Sequence, residues 1–167
     1  MATGDRDPGP DEVDRLLRLL RDAPIRIAAA TDGVDPVRLH ERTADEPWSV
    51  NDVLAHVRAA ADNRERSIDA MATGRHATLD YRSPRSELAR TDYLDLPFAD
   101  NLATYRTKRA GLVERLGALP IDHWARGSLI RGRPETVATY VRDLAEHDTA
   151  HCGQIEALVR TARLADR

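Results

Sequence analysis

Apolar residues recur along this chain at intervals of three and four, the spacing that gathers them on one face of an α-helix. The first such stripe is Val13, Leu16, Leu17, Leu20, Ile27 and Ala28, with Asp11 placed to cap its first turn. Pro24 falls inside it. Proline lacks the backbone donor and crowds the preceding turn, so a kink or change of axis is expected there, with the helix resuming toward Thr31. Residues 32–47 carry Gly33, Pro36 and Pro47 and read as a loop. A second helix opens at Trp48-Ser49-Val50-Asn51-Asp52, with Ser49 as N-cap and Asp52 as a short capping-box acid. Its stripe is Val50, Val53, Leu54, Val57, Ala60, Ala61, Ile68 and Met71, and Gly74 ends it.

Residues 73–95 have weak periodicity and are too long for an ordinary bundle connection, so a short helix is expected around 86–90, placed to cover a site. A third helix is read over 97–116, with Leu102, Tyr105, Leu112, Val113 and Leu116 inward, Gly117 as its stop and Pro120 confirming the break. Residues 121–133 read as a loop. Pro134 then suits the first position of a fourth helix running to about Thr161, on the stripe Val137, Tyr140, Val141, Leu144, Ile155 and Leu158. Four amphipathic helices without an alternating strand pattern predict an all-α protein. The expected arrangement is an antiparallel four-helix bundle with one long connection between its second and third helices.

Length and composition narrow the picture. At 167 residues the chain makes one domain, expected over 11–167, after a tail at 1–10 whose Gly4, Pro8, Gly9 and Pro10 give it a disordered composition. A domain of this size needs neither disulfide nor metal merely to fold, so a metal here points to function. Cys152 is the only cysteine, which excludes an intrachain disulfide and suits a reducing cytoplasm. No apolar run is long enough to span a membrane and the opening residues lack a signal-peptide core, so a cytoplasmic protein without membrane partners is expected. The net charge of −3, scattered basic residues and 4% aromatics leave no footprint for nucleic acid.

The stripe of the fourth helix passes through His147 and His151, four residues apart and so both inward. Neutral imidazole is a common ligand for divalent ions, and such a pair can offer two nitrogens to one of them. The competing reading is two core histidines, each hydrogen-bonded to its own buried partner. His56, bordering the buried face of the second helix between Val53 and Ala60, is the candidate for a third ligand. Three protein ligands with the remaining positions open describe a catalytic kind of site. His40, His76 and His123 fall in expected loops and read as solvated.

Two blocks are distinctive: Trp48-Ser49-Val50-Asn51-Asp52-Val53-Leu54-Ala55-His56, and Leu144-Ala145-Glu146-His147-Asp148-Thr149-Ala150-His151 followed by Gln154-Ile155. Together they resemble the DinB-like superfamily, in a layout covering residues 12–160. That resemblance implies a DinB-like four-helix bundle holding one divalent ion, zinc or nickel foremost and iron as an alternative, on His56, His147 and His151. Superfamily members with an assigned chemistry look like thiol-dependent S-transferases and isomerases that use small thiols such as bacillithiol or mycothiol. In the maleylpyruvate isomerase branch a glutamate takes the position of His147, so the three-His form is more similar to the S-transferase branch. The resemblance thus implies a low-molecular-weight thiol cosubstrate, a small-molecule substrate and, from family members that pair through helix faces, a homodimer. The outer surfaces here are charged and carry no second apolar stripe to mark that interface.

Three further side chains are candidates for lining a substrate pocket. Asn63 lies one heptad after His56, Tyr140 lies one heptad before His147, and Arg109 interrupts the third stripe where it could clamp a carboxylate. Each also has an ordinary structural reading, as solvated flank, core tyrosine and snorkelling arginine. Cys152 reads as a buried inert thiol. His147-Asp148-Thr149-Ala150-His151 has the spacing of a metallopeptidase H-E-x-x-H helix with Asp for Glu, but no later histidine follows it. A di-iron site is excluded because the chain contains no Glu-x-x-His. A metal-containing stress-response protein that binds a ligand without turnover stays open beside the enzyme.

Overall fold

The computed structural model describes residues 8–42, 46–74 and 78–165. It contains α1 (Pro10–Thr31), α2 (Val50–Thr73), a short α3 (Pro84–Leu88), α4 (Phe98–Gly117) and α5 (Val137–Ala165). A small sheet is made of β1 (Thr78–Leu79), β2 (Gly127–Ile130) and β3 (Arg133–Thr136). Helix α1 starts one residue before the expected point, with Gly9 as N-cap and Pro10 opening the helix, so Asp11 and Glu12 complement the first-turn dipole and do not cap it. The expected tail over 1–10 is described only from residue 8, and the rest of that expectation lies outside the described residues. Pro24 does not interrupt α1: the helix runs through it, and the proline is buried beside Leu20, Ala23 and Ile27. Packing of that apolar stripe outweighs one missing backbone bond.

Helix α2 starts as its sequence dictates. Ser49 Oγ accepts from the Asp52 amide at 3.0 Å, and Asp52 Oδ2 accepts from the Ser49 amide at 2.9 Å. Gly74, at φ 66°, closes the helix in the left-handed conformation. The short helix expected near 86–90 forms two residues earlier, because Ser83 accepts from the Ser86 amide at 3.1 Å and Pro84 opens the first turn.

Helices α1, α2, α4 and α5 enclose a single apolar core. Both α1 and α2 pack against α4 and α5, so the chain-consecutive pairs α1/α2 and α4/α5 sit on diagonals. Directions follow from side-chain pairs. Glu12 meets Arg142 and Arg26 meets Glu156, so α1 runs parallel to α5. Arg58 meets Asn101, Asp62 meets Lys108 and Asp69 meets Arg115, so α2 runs parallel to α4. The antiparallel relation holds between these two pairs. It requires a long connection from α1 to α2 as well as the one between α2 and α4.

The segment expected to be a loop over 121–133 is instead a 3-10 turn (Ile121–Ala125) followed by β2. Pro134 is not the first residue of the last helix. It lies in β3, an outer strand paired antiparallel with β2, where a missing amide is tolerated. The hairpin turns through Arg131 at φ 55° and Gly132 at φ 74°. Helix α5 then begins at Val137, after Thr136 and Thr139 exchange hydrogen bonds between hydroxyl and amide at 3.1 and 2.9 Å. No helix among the described residues is long and apolar enough to cross a membrane.

Candidate metal centre

The capping box fixes where α2 begins, and so fixes His56 two turns further on, between buried Val53 and Ala60. His147 and His151 sit one turn apart on the antiparallel α5. The three half-buried rings meet: their ligand nitrogens all lie within 4.8 Å of one another. His56 Nε2 is 3.1 Å from His147 Nε2, and the ring centres of His147 and His151 are 4.5 Å apart. Nitrogens on one tetrahedral ion, at about 2.0–2.1 Å each, stand roughly 3.3–3.4 Å apart. The His56–His147 pair stands near that spacing, and the three rings together are close enough to converge on one ion.

The protonation states also fit. Burial, then the neighbouring His147 and His151, push His56 down to about 4, and burial lowers His151 as well. Neutral imidazoles are what a metal needs. His151 Nδ1 pairs with Gln154 Oε1 at 2.8 Å, which assigns the proton to Nδ1 and leaves Nε2 as the ligand atom. Trp48 packs edge-on against His56, with ring centres 5.0 Å apart.

Behind His147 lies a buried polar group. Asp148 Oδ2 accepts from the Tyr105 hydroxyl at 2.6 Å and from Arg109 Nη2 at 2.7 Å. Burial alone would raise this carboxyl, but Arg109, aided by His147 and Tyr105, holds it below its ordinary value. Its other oxygen is 3.6 Å from His147 Nδ1, and neither atom has a hydrogen-bond partner.

One cavity adjoins the histidines and a second lies further along α2 and α5. The first, of about 420 Å³, is lined by His56 with Pro47, Trp48, Leu88 and Leu94 and is rimmed by Arg42 and Arg85. Helix α3, in the segment expected to cover a site, supplies Leu88 and Arg85 to it. The other, of about 280 Å³, lies between α2, α5 and the hairpin, and its lining includes Asn63, Arg64, Tyr81, Arg131, Arg133 and Tyr140. It sits about two helical turns from the histidines.

The sequence-predicted residues divide accordingly. His56, His147 and His151 come together. Asn63 and Tyr140 share the second cavity, where Asn63 donates to the Arg82 carbonyl at 2.7 Å. Arg109 joins neither cavity: it is 1% exposed and committed to Asp148. Cys152 is buried, its thiol donating to the Ala23 carbonyl at 3.5 Å and pushed up to about 12 by burial. His40 and His123 lie in 3-10 turns away from the trio, His123 against Arg126, and His76 lies outside the described residues. Sequence reasoning passed over Arg64, which shares the His56 face eight residues on, and Asp148, which looked like part of a peptidase motif. Gln154, one turn beyond His151, stands in the distinctive block, but its pairing with His151 is a feature of the folded helix.

Solved structures share this fold. YfiT from Bacillus subtilis, described as a probable metal-dependent hydrolase with an unusual four-helix bundle topology, superposes with a TM-score of 0.82 at 15% identity. That match covers 96% of this chain and 93% of YfiT. The mycothiol-dependent maleylpyruvate isomerase superposes with a TM-score of 0.64 at 19% identity, over 84% of this chain and 59% of the isomerase. No curated protein matches by sequence. At these identities the structural likeness establishes the fold. The sequence profile of the DinB superfamily matches residues 13–155, and the chain therefore belongs to that superfamily.

Proposed function

We propose that this chain is a divalent-metal-dependent enzyme, acting in the cytoplasm, that joins a low-molecular-weight thiol to a small electrophile. The observation that carries the reading is the convergence of His56, His147 and His151, with a mainly apolar cavity against His56 and a polar one further along the same two helices. A zinc, nickel or iron ion on three imidazoles would lower the pKa of a thiol bound at an open position, from roughly 8.5 toward neutrality. Trp48, Leu88 and Leu94 supply an apolar seat for the electrophile and exclude water from it. Arg64, which makes no hydrogen bond or ion pair within the described residues, offers its guanidinium to an anionic group on the thiol, with the Tyr140 hydroxyl in the same cavity. The likeness to a mycothiol-dependent isomerase supports a thiol as cosubstrate.

The test is thiol consumption by protein loaded separately with Zn²⁺, Ni²⁺ or Fe²⁺. Cysteine, glutathione, bacillithiol and mycothiol are each paired with monochlorobimane or a chloronitrobenzene. Metal-dependent acceleration that His151→Ala abolishes is the expected result. A loaded protein that accelerates none of these pairs overturns the reading.

A second reading, metal-assisted hydrolysis, is favoured by the likeness to YfiT. Against its peptidase form, Asp148 sits where such an enzyme needs a general base but is fully buried on Arg109 and Tyr105. Ester hydrolysis by the same loaded protein, with no thiol consumption, would favour it.

A further inference from the structure

A buried ion pair seldom improves stability over apolar side chains of similar volume, so its presence calls for another account. The Asp148 side chain is 0% exposed and that of Arg109 is 1% exposed. The pair is poorly optimised as a stabilising device. Arg109 Nε and Nη1 lie buried without a hydrogen-bond acceptor, and the nearest other carboxylate, Glu65, is 3.8 Å from Nη1. Tyr105 and Arg109 reach Asp148 across the diagonal of the bundle, from α4 to α5.

The geometry around the carboxylate supplies the account. Both donors fall on Oδ2, at 2.6 and 2.7 Å. Oδ1 is left facing His147 Nδ1 at 3.6 Å, a little beyond hydrogen-bond length, and both atoms are buried with no hydrogen-bond partner elsewhere, so a slight closure would join them. His147 Nε2 points the other way, to His56 Nε2 at 3.1 Å. We propose that Tyr105 and Arg109 clamp one oxygen of Asp148 so that the other holds the Nδ1 proton of His147, making these three the positioning residues that select the Nε2-ligating form of that ring. Gln154 does the same for His151 with a neutral acceptor. This rests on the metal reading above, and it extends the site to α4, which contributes no ligand.

Metal-binding histidines commonly lose 10- to 100-fold in ion affinity when such a partner is removed. Asp148→Asn alone would strand Arg109 without a counterion, so the informative variants are Tyr105→Phe and the charge-free pair Asp148→Val/Arg109→Met. Zn²⁺ and Co²⁺ affinities are measured by competition with a chromophoric chelator, alongside the visible spectrum of the Co²⁺ form and the melting temperature of the metal-free protein. The expected result is a 10- to 100-fold loss of affinity in the double variant, a smaller loss in Tyr105→Phe, and a shifted Co²⁺ spectrum, with metal-free stability kept or raised. A double variant that folds, binds both ions as tightly as wild type and keeps its Co²⁺ spectrum overturns the proposal. If the double variant does not fold, Tyr105→Phe decides, and unchanged affinity and spectrum there overturn it. Wild-type protein that takes up neither ion overturns the metal reading, and this inference with it.

Discussion

His151 Nδ1 donates to Gln154 Oε1 at 2.8 Å, one turn further along the same helix. The side chain that would present Nε2 to an ion is thus oriented by a neighbour the helix itself supplies. Gln154→Ala is expected to weaken Zn²⁺ binding 10- to 100-fold, and His151→Ala to remove it. Thermal unfolding checks both. Wild type with Zn²⁺ at a hundred times its dissociation constant should gain about 2.7 kcal/mol, whereas His151→Ala should melt at one temperature with or without the ion.

Arg64 lines the cavity that also holds Asn63 and Tyr140. If its guanidinium anchors the anionic end of the thiol, Arg64→Met should raise KM for that thiol about tenfold or more with little change in kcat, because the anchor acts in ground state and transition state alike. Steady-state kinetics at varied thiol and fixed electrophile separate the two parameters. An equal fall in kcat at unchanged KM would contradict the assignment.

Glu65 makes stability depend on pH with a defined sign. Burial raises its carboxyl to about 7, outweighing the opposing pull of Arg109 and Arg115 at 3.8 Å. The folded protein therefore binds the proton more tightly than the unfolded chain does. The stability this group provides is complete below its ordinary value near 4.5 and is lost as pH rises through 7. Glu65→Gln keeps the shape without the charge. It should match wild type near pH 4 and exceed it by roughly 1–3 kcal/mol at pH 8.5, a rise of several degrees in Tm. Melting curves across this range would contradict the assignment if the variant gained nothing at high pH.

Cys152, 1% exposed and with its thiol pushed up to about 12, should resist alkylation in the native state. Mass spectrometry after iodoacetamide at pH 8 should find it unmodified until denaturant is added. Rapid native labelling would mean that α1 and α5 separate more readily than their packing suggests.

Much of this was legible in the sequence where local rules decide. Ser49 and Asp52 announce the start of α2 because a capping box is satisfied within four residues, and the fixed helical rotation then puts His56 on the buried side. The i, i+4 spacing of His147 and His151 works the same way. Decisions made between distant segments were not legible. Arg109 looked free to bind substrate because its partner, Asp148, comes from another helix. The hairpin escaped notice because its buried residues, Ser128 and Ile130, alternate with an exposed Leu129, and because Arg131-Gly132 is not a usual turn pair. Helix direction was hidden too, since parallel neighbours depend on the path of the connections and not on any stripe.

One wall of the cleft that holds Asn63 and Tyr140 is a hairpin, whereas the imidazoles are carried by helices embedded in the core. If the proposed function holds, selectivity and metal retention are separable traits. Exchange of a few residues at the tip around Arg131 and Gly132 would then retune which molecules are accepted while the histidine framework is inherited intact, a division of labour that would let one scaffold diversify without refounding its chemistry.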